Sequence, residues 1–526
     1  MQFKRLLDTL ARSSAQAVTT LSQGQEEQDE LKKYLYVKAD IEEDFLALLE
    51  SGLSAGSVVF LCGSSGDGKS ELLSRHYGTY GKRFRFYLDA THSFKPDQTA
   101  VEALDQLFDE HQQSQQPLVV GINVGMLLNY RNTAAERHAD IKVAIDRFID
   151  GKRSLGSYQF INFEDYPKFS LENGKIGSEF VEELLHKVIA PNDKNPIFRA
   201  YQALDIQDQR LECHNYRLLQ EPAVQKVVVR TLLHARLKFD QFFSTRALLD
   251  LIHHLISNND VLFNNLFASP GYGLAGTLVE MDPCLFRSQK LDQFLIQQSL
   301  NISDTEFEKF KQEYFESYGP QKLSPSCWVR AFYTLQNIDL GNNYHKQFNK
   351  DFAQPIFDDY IRVWQLHHSE DDKARKDLRD FYNKQLITSL LKFANRLEPK
   401  LVNDGIYLTK RNNIVISAKI DVRPDLNSIA KANSMKNQIH CFNAAIKVDD
   451  ISLKPFPVTI SFLELAKRIL GGYRPNRHDK NAVVILEEVI EELVSTANKS
   501  ESIHFHSKNK KWTLSLDDED FVVEAE

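Results

Sequence analysis

Apolar and polar positions along the first third of the chain predict short strands interleaved with helices. Met1-Gln2-Phe3-Lys4-Arg5-Leu6-Leu7 opens an amphipathic helix over 1–22, with apolar positions at 3, 6, 7 and 10. A polar link at 23–30 follows, then a helix bearing Phe45, Leu46, Leu48 and Leu49, with Asp40 and Glu43 at capping-box spacing. Ser57-Val58-Val59-Phe60-Leu61-Cys62 is a short apolar run of the kind a buried strand has, and a helix starts at Ser70. Phe84 to Asp89 alternates as a second strand, and a helix runs from about Gln98 to His111. Leu118 to Asn123 is a continuous apolar run of the kind found in central parallel strands. A helix near Ala139–Ile149 and a strand from Tyr158 to Phe163 complete the series. Such alternation indicates an α/β domain with a parallel sheet and a ligand crevice at the carboxyl ends of its strands.

From about Ile176 to Ile256 the pattern turns helical, with Ser244 or Thr245 capping a helix that carries Leu248, Leu249, Ile252, Leu255 and Ile256. Residues 257–400 stay mostly helical, and Trp328 and Trp364 fall in core stripes. After 401 a strand pair (405–409 and 413–417) and amphipathic helices (461–470 and 482–494) define a smaller α/β or α+β module. The expected organisation is an N-terminal extension (1–40), an α/β core (41–175), a helical lid (176–260), a helical segment (261–400) and the C-terminal module (401–526).

Between the first strand and its helix stands Gly63-Ser64-Ser65-Gly66-Asp67-Gly68-Lys69-Ser70, which fits the phosphate-loop pattern G-x-x-x-x-G-K-[ST] at every fixed position. Glycine lets the backbone curl so that successive N–H groups, from Gly63 through Glu71, face phosphate oxygens. The first turn of the helix adds unpaired N–H groups. Lys69 is expected on the β- and γ-phosphates and the Ser70 hydroxyl on Mg²⁺. The fold class expected is therefore a P-loop NTPase core with an AAA- or STAND-like parallel sheet, and the ligand ATP with Mg²⁺.

An ATPase also needs an acid for the metal and a group to position lytic water. Three candidates compete: Asp89 at the end of the second strand, favoured, then Glu164 in Glu164-Asp165, and Asp109-Glu110 near a helix end. Asn123, polar at the end of an apolar strand, is the candidate water sensor, and Arg246 in the first turn of the capped helix the candidate γ-phosphate sensor. Tyr34 and Tyr36 suit either core packing, the favoured reading, or stacking on a base. Arg287 is a weaker candidate for action across a subunit interface.

At 526 residues, with 42% apolar and 26% charged residues, the chain reads as an ordinary multidomain globular protein. No apolar run reaches a membrane span's length, and the N-terminus does not read as a signal peptide. Five scattered cysteines (62, 213, 284, 327 and 441) fit neither a disulfide framework nor a zinc pattern, which points to the cytoplasm. A net charge of −8 argues against a protein that coats nucleic acid. Two basic loops (Arg474, Arg477, Lys480; Lys508, Lys510, Lys511 beside Trp512) read as solvated, and His504 and His506 share a strand face without a further metal ligand. A nuclease arrangement fails as well, because Ser417 stands where the Asp404…Lys419 spacing needs a metal-binding acid.

Residues 60–73, Asp89-Ala90-Thr91, 119–125 and Ile161-Asn162-Phe163-Glu164-Asp165-Tyr166 together resemble the DptF family of DNA phosphorothioation-dependent restriction proteins. The likeness covers about residues 30–260. It implies an ATPase subunit acting with DptG- and DptH-like companions against DNA that lacks the sulfur mark, with DNA met through the complex and homo-oligomerisation left open. The alternative is a nucleotide-dependent switch that binds protein partners and not DNA; a small-molecule kinase ranks third.

Overall fold

Strand β1 (Val58–Gly63) is buried at all six positions and is the middle strand of a five-stranded sheet. The other strands are β2 (Arg85–Tyr87), β3 (Leu118–Asn123), β4 (Ser154–Leu155) and β5 (Tyr158–Asn162), in the order β2-β3-β1-β5-β4. The first four in that order are parallel, and β4 runs antiparallel to β5. The sheet is therefore mixed, where the sequence led us to expect a parallel one. The two-residue link Gly156-Ser157, with φ +58° at Gly156, returns the chain directly, and only an antiparallel neighbour can follow so short a turn.

The structure is a computed structural model that describes residues 2–11, 26–90, 98–172, 174–204, 210–268, 273–319, 321–403, 405–434, 437–476, 479–499, 502–507, 510–517 and 520–525. They form two compact units, one of residues 1–169, 177–235 and 241–353 and another of 170–176, 236–240 and 354–526. Residues 12–22 of the expected first helix, and Thr91, Asp404, Arg477 and Lys508, lie outside the described residues.

In the first unit both faces of the sheet are covered, which is why its strands read as unbroken apolar runs. The helices here are α1 (Gln2–Asp8), α2 (Glu26–Leu35), α3 (Ile41–Glu50), α4 (Lys69–Tyr80), α5 (Ala100–Gln112), α6 (Val124–Thr133) and α7 (Ala139–Ile149). Side-chain alternation sends Val58, Phe60, Cys62, Val120 and Ile122 to the face under α5, α6 and α7. Val59, Leu61, Val119 and Ile161 face α3 and α4. Phe60 stacks on Phe160 at 4.9 Å between ring centroids, and Phe160 on Phe148 at 4.8 Å.

Two local expectations change. The link at 23–30 is helical from Glu26, because Leu31 in α2 is buried and gives that segment a core contact. No capping box forms at Asp40 and Glu43. Asp40 is already in helical geometry and accepts no cap bond, and Glu43 accepts from Lys38 Nζ at 2.8 Å. The capping box stands instead at Thr99 and Glu102, ahead of α5.

The rest of the first unit is helical, and Trp328 lies buried among Phe307, Phe310 and Tyr314. The second unit combines helices such as Pro355–His367, which holds buried Trp364, with antiparallel sheets. Its expected hairpin is present as Ile406–Arg411 and Ile414–Ala418, turned at Asn412-Asn413, both at positive φ. The expected helices are Ile460–Leu470 and Lys480–Ala497. His504 and His506 are bonded to Thr513 and Ser417, and the described residues hold no group of three metal ligands. Among the described residues no helix is long and apolar enough to cross a membrane.

Candidate phosphate-binding loop

The glycine-rich stretch leaves the carboxyl end of β1 and enters α4 at Lys69. Gly66 at φ +85° and Gly68 at φ +105° make the reversal, in a backbone region that side-chain-bearing residues rarely adopt. Gly68 is also the N-cap of α4, so no side chain caps the first-turn N–H groups. Register aligns Gly63 with Asn123 on β3, and Cys62 with Asn162 on β5. Asn123, Asn162 and the loop thus share the carboxyl edge of the sheet.

Inside the loop the polar groups are bonded to one another. Lys69 is buried, and its Nζ donates to the Ser64 carbonyl at 2.7 Å and the Gly63 carbonyl at 3.2 Å. Burial lowers the Lys69 pKa, against the pull of Asp67 and Asp89, which favour its charge. Ser64 N–H donates to Asp67 Oδ2 at 2.7 Å, and Ser70 Oγ to the Leu88 carbonyl at 3.3 Å. Ser65 and Gly66 are exposed, so solvent reaches the loop at its tip.

The three acid candidates separate by position. Asp89 follows the carbonyl that receives the Ser70 hydroxyl, and the next N–H, of Ala90, is bonded to Gly121 of β3 at 2.9 Å. Asp89 therefore lies on the Lys69–Ser70 side of the loop. Glu164 follows β5, its N–H donates to Asn162 Oδ1 at 3.3 Å, and its charge acts on Asp67. Asp165 is engaged by Arg153 through two bonds of 2.6 and 2.7 Å. Asp109 and Glu110 belong to the opposite edge: Glu110 binds Arg85, which is in register with Leu118 at the start of β3. Asp109 binds Arg137.

Helix Thr245–Ser257 meets the loop by its amino end. Ser244 caps it by accepting from Ala247 N–H, Arg246 N–H donates to the Gly66 carbonyl at 3.2 Å, and Thr245 Oγ1 donates to the Asp67 carbonyl at 3.4 Å. The Arg246 guanidinium points elsewhere, with Nη1 donating to the carbonyls of Leu10 and Ala11 at 3.3 and 3.4 Å. Arg246 is thus next to the loop by its backbone, while its charge holds the segment that follows α1. Tyr36 is already stacked, with the Arg75 guanidinium 3.4 Å above its ring and its hydroxyl on Glu42, which also binds His76. One face of the Tyr36 ring is thus taken by Arg75. Tyr34 packs with Lys187, and Arg287 is exposed beside Asp292.

Two groupings escaped the sequence. Lys168, past β5, stands 3.7 Å from Asp67 Oδ1 beneath the loop. In the second unit Asp240, His440 and Cys441 come together, with His440 3.5 Å from each partner. Burial pushes the Cys441 thiol up to about 11, so it stays protonated near neutrality and has the character of a structural cysteine, not a nucleophile.

The fold defines a mixed α and β protein whose central sheet ends in a glycine-rich loop. No family model matches the chain, and no curated protein matches it.

Proposed function

We propose that the first unit binds a nucleoside triphosphate with Mg²⁺, ATP by the DptF resemblance, and hydrolyses it. The carrying observation is the loop itself: two glycines at positive φ turn the chain from the carboxyl end of a central parallel strand into a helix that begins at Lys69. The residues present fit such a ligand. The helix cap has no side chain to obstruct an anion, and a buried cation and a hydroxyl stand at the first two helical positions.

In this reading Lys69 leaves the Gly63 and Ser64 carbonyls for phosphate oxygens, and Ser70 leaves the Leu88 carbonyl for the metal. Bound Mg²⁺ neutralises charge on the polyphosphate and favours displacement at its terminal phosphorus. Asp89 holds the metal side through its place beside Ser70, Glu164 approaches from the β5 side, and Asn123, at the strand end beside Gly63, orients water. Arg246, held to the loop by its backbone, would reach the γ-phosphate by releasing the Leu10 and Ala11 carbonyls.

Asp89→Asn is expected to lower ATP turnover by about a hundredfold or more while leaving Mg-free nucleotide affinity within about threefold. Steady-state phosphate release and equilibrium titration read the two effects. Loss in Glu164→Gln alone, with Asp89→Asn unaffected, would exchange the two roles.

The resemblance extends the proposal to a restriction subunit that works with DptG- and DptH-like companions on DNA lacking the sulfur mark. Turnover measured without DNA, with unmodified DNA and with phosphorothioate DNA tests it, with Lys69→Ala as the blank. Stimulation by unmodified DNA supports the defence role. Tight binding with no turnover under any condition favours a nucleotide-gated assembly switch, a reading that the inward-bonded Lys69 also suits.

A further inference from the structure

The phosphate loop contains its own anion. Asp67 is buried, its side chain is folded under the loop, and a Cβ added at Gly63 would meet Asp67 Oδ2 at 2.9 Å. One carboxylate oxygen holds Ser64 N–H; the other has no hydrogen bond and faces Lys168 Nζ at 3.7 Å. That distance makes an ion pair and is too long for a hydrogen bond. Lys168 is itself largely withdrawn from water, and its ammonium lies over the rings of Phe180 and Phe242 at 5.5 and 6.0 Å. A carboxylate in this place opposes a polyphosphate a few ångströms away, in surroundings where charges are poorly screened.

We propose that Lys168 is a positioning residue of the phosphate loop, which neutralises Asp67 and so sets the affinity of the loop for highly charged polyphosphate. The inference rests on the nucleotide-binding reading above. Burial acts on both partners in the direction that disfavours charge, raising the Asp67 pKa and lowering that of Lys168, and at Asp67 the Lys168 charge opposes it most, ahead of the Ser64 N–H and Lys69. Removing Lys168 takes away the strongest of these and leaves Asp67 a buried carboxylate held only by the Ser64 N–H and the more distant charge of Lys69. Pairing that change with Asp67→Asn leaves a neutral amide in the loop, whose side-chain oxygen can still accept Ser64 N–H.

The test titrates the full chain with fluorescent ATP and ADP analogues, in wild type, Lys168→Met, Asp67→Asn and the double variant. Lys168→Met should weaken ATP analogue binding by about tenfold or more, and ADP analogue binding by clearly less, because the repulsion scales with ligand charge. The double variant should return to within about threefold of wild type, and Asp67→Asn alone should bind ATP at least as tightly as wild type. A merely structural role would weaken ATP and ADP alike and would leave the double variant no better than Lys168→Met. Either pattern overturns the proposal, as does unchanged affinity in Lys168→Met. Should Lys168→Met fail to fold, the Asp67→Asn and double variants decide: weaker ATP binding in either, beyond about threefold, overturns it. Absence of nucleotide binding by the wild type overturns the nucleotide reading, and this inference with it.

Discussion

Lys69→Ala should abolish measurable Mg·ATP binding, a loss of about a hundredfold or more in affinity. Lys69 Nζ is the cation at the centre of the loop, buried and held by two neutral carbonyls, of Gly63 and Ser64. Exchanging those for phosphate oxygens replaces ordinary hydrogen bonds by charge-assisted ones, worth roughly 1.5–3 kcal/mol each. Two of them account for the expected loss. The fold should survive, because Ser64 borders solvent and its freed carbonyl can take water, while the buried Gly63 carbonyl gives up only the longer bond, of 3.2 Å. Calorimetric titration checks the affinity, and a thermal melt within a few degrees of wild type checks the fold. Unchanged binding would remove this loop as the site.

Gly66→Val should disturb both stability and ligand binding. At φ +85° a β-branched residue carries a backbone penalty of roughly 1–2 kcal/mol. The new Cβ would stand 2.9 Å from Arg246 Cβ and 3.1 Å from Ser244 Oγ, so helix Thr245–Ser257 must also shift. Overpacking of this kind costs about 1–3 kcal/mol more. The sum, roughly 2–5 kcal/mol, should appear in urea unfolding as a lower midpoint. Limited proteolysis should show new cleavage near residues 240–246, where the helix start loses its anchors on Gly66 and Asp67. A variant with wild-type stability and an unchanged digestion pattern would contradict the contact.

The central sheet was legible because its strands are buried on both faces. Leu118–Asn123 and Val58–Gly63 read as unbroken apolar runs, and the loop between β1 and α4 carries its own punctuation. Strand β2 is only three residues long and ends at Tyr87, short of the expected Asp89, although Ala90 N–H still donates to Gly121 of β3. Strand β4 has two exposed residues and no pattern to read. Side-chain direction was less accessible than position. Arg246 falls at the start of its helix as expected, yet its guanidinium goes to the carbonyls of Leu10 and Ala11, a tertiary fact without a local signal. Lys168 sits in a loop far along the chain from Asp67, and only the return of β5 beside β1 brings the two together. Asp40 and Glu43 show the converse: the capping spacing was present, and Lys38 took the glutamate.

Gly66 offers its carbonyl to the backbone of Arg246, while the guanidinium of the same arginine holds Leu10 and Ala11, just past α1. Loop, helix and amino-terminal segment therefore form one latch with a common pin. In kinetic terms, any rearrangement of the loop that swings the Gly66 carbonyl has to wait for that latch to lift. Ligand exchange would then run on an internal clock set by the chain, and adding more ligand would not make it run faster once opening is the slow step.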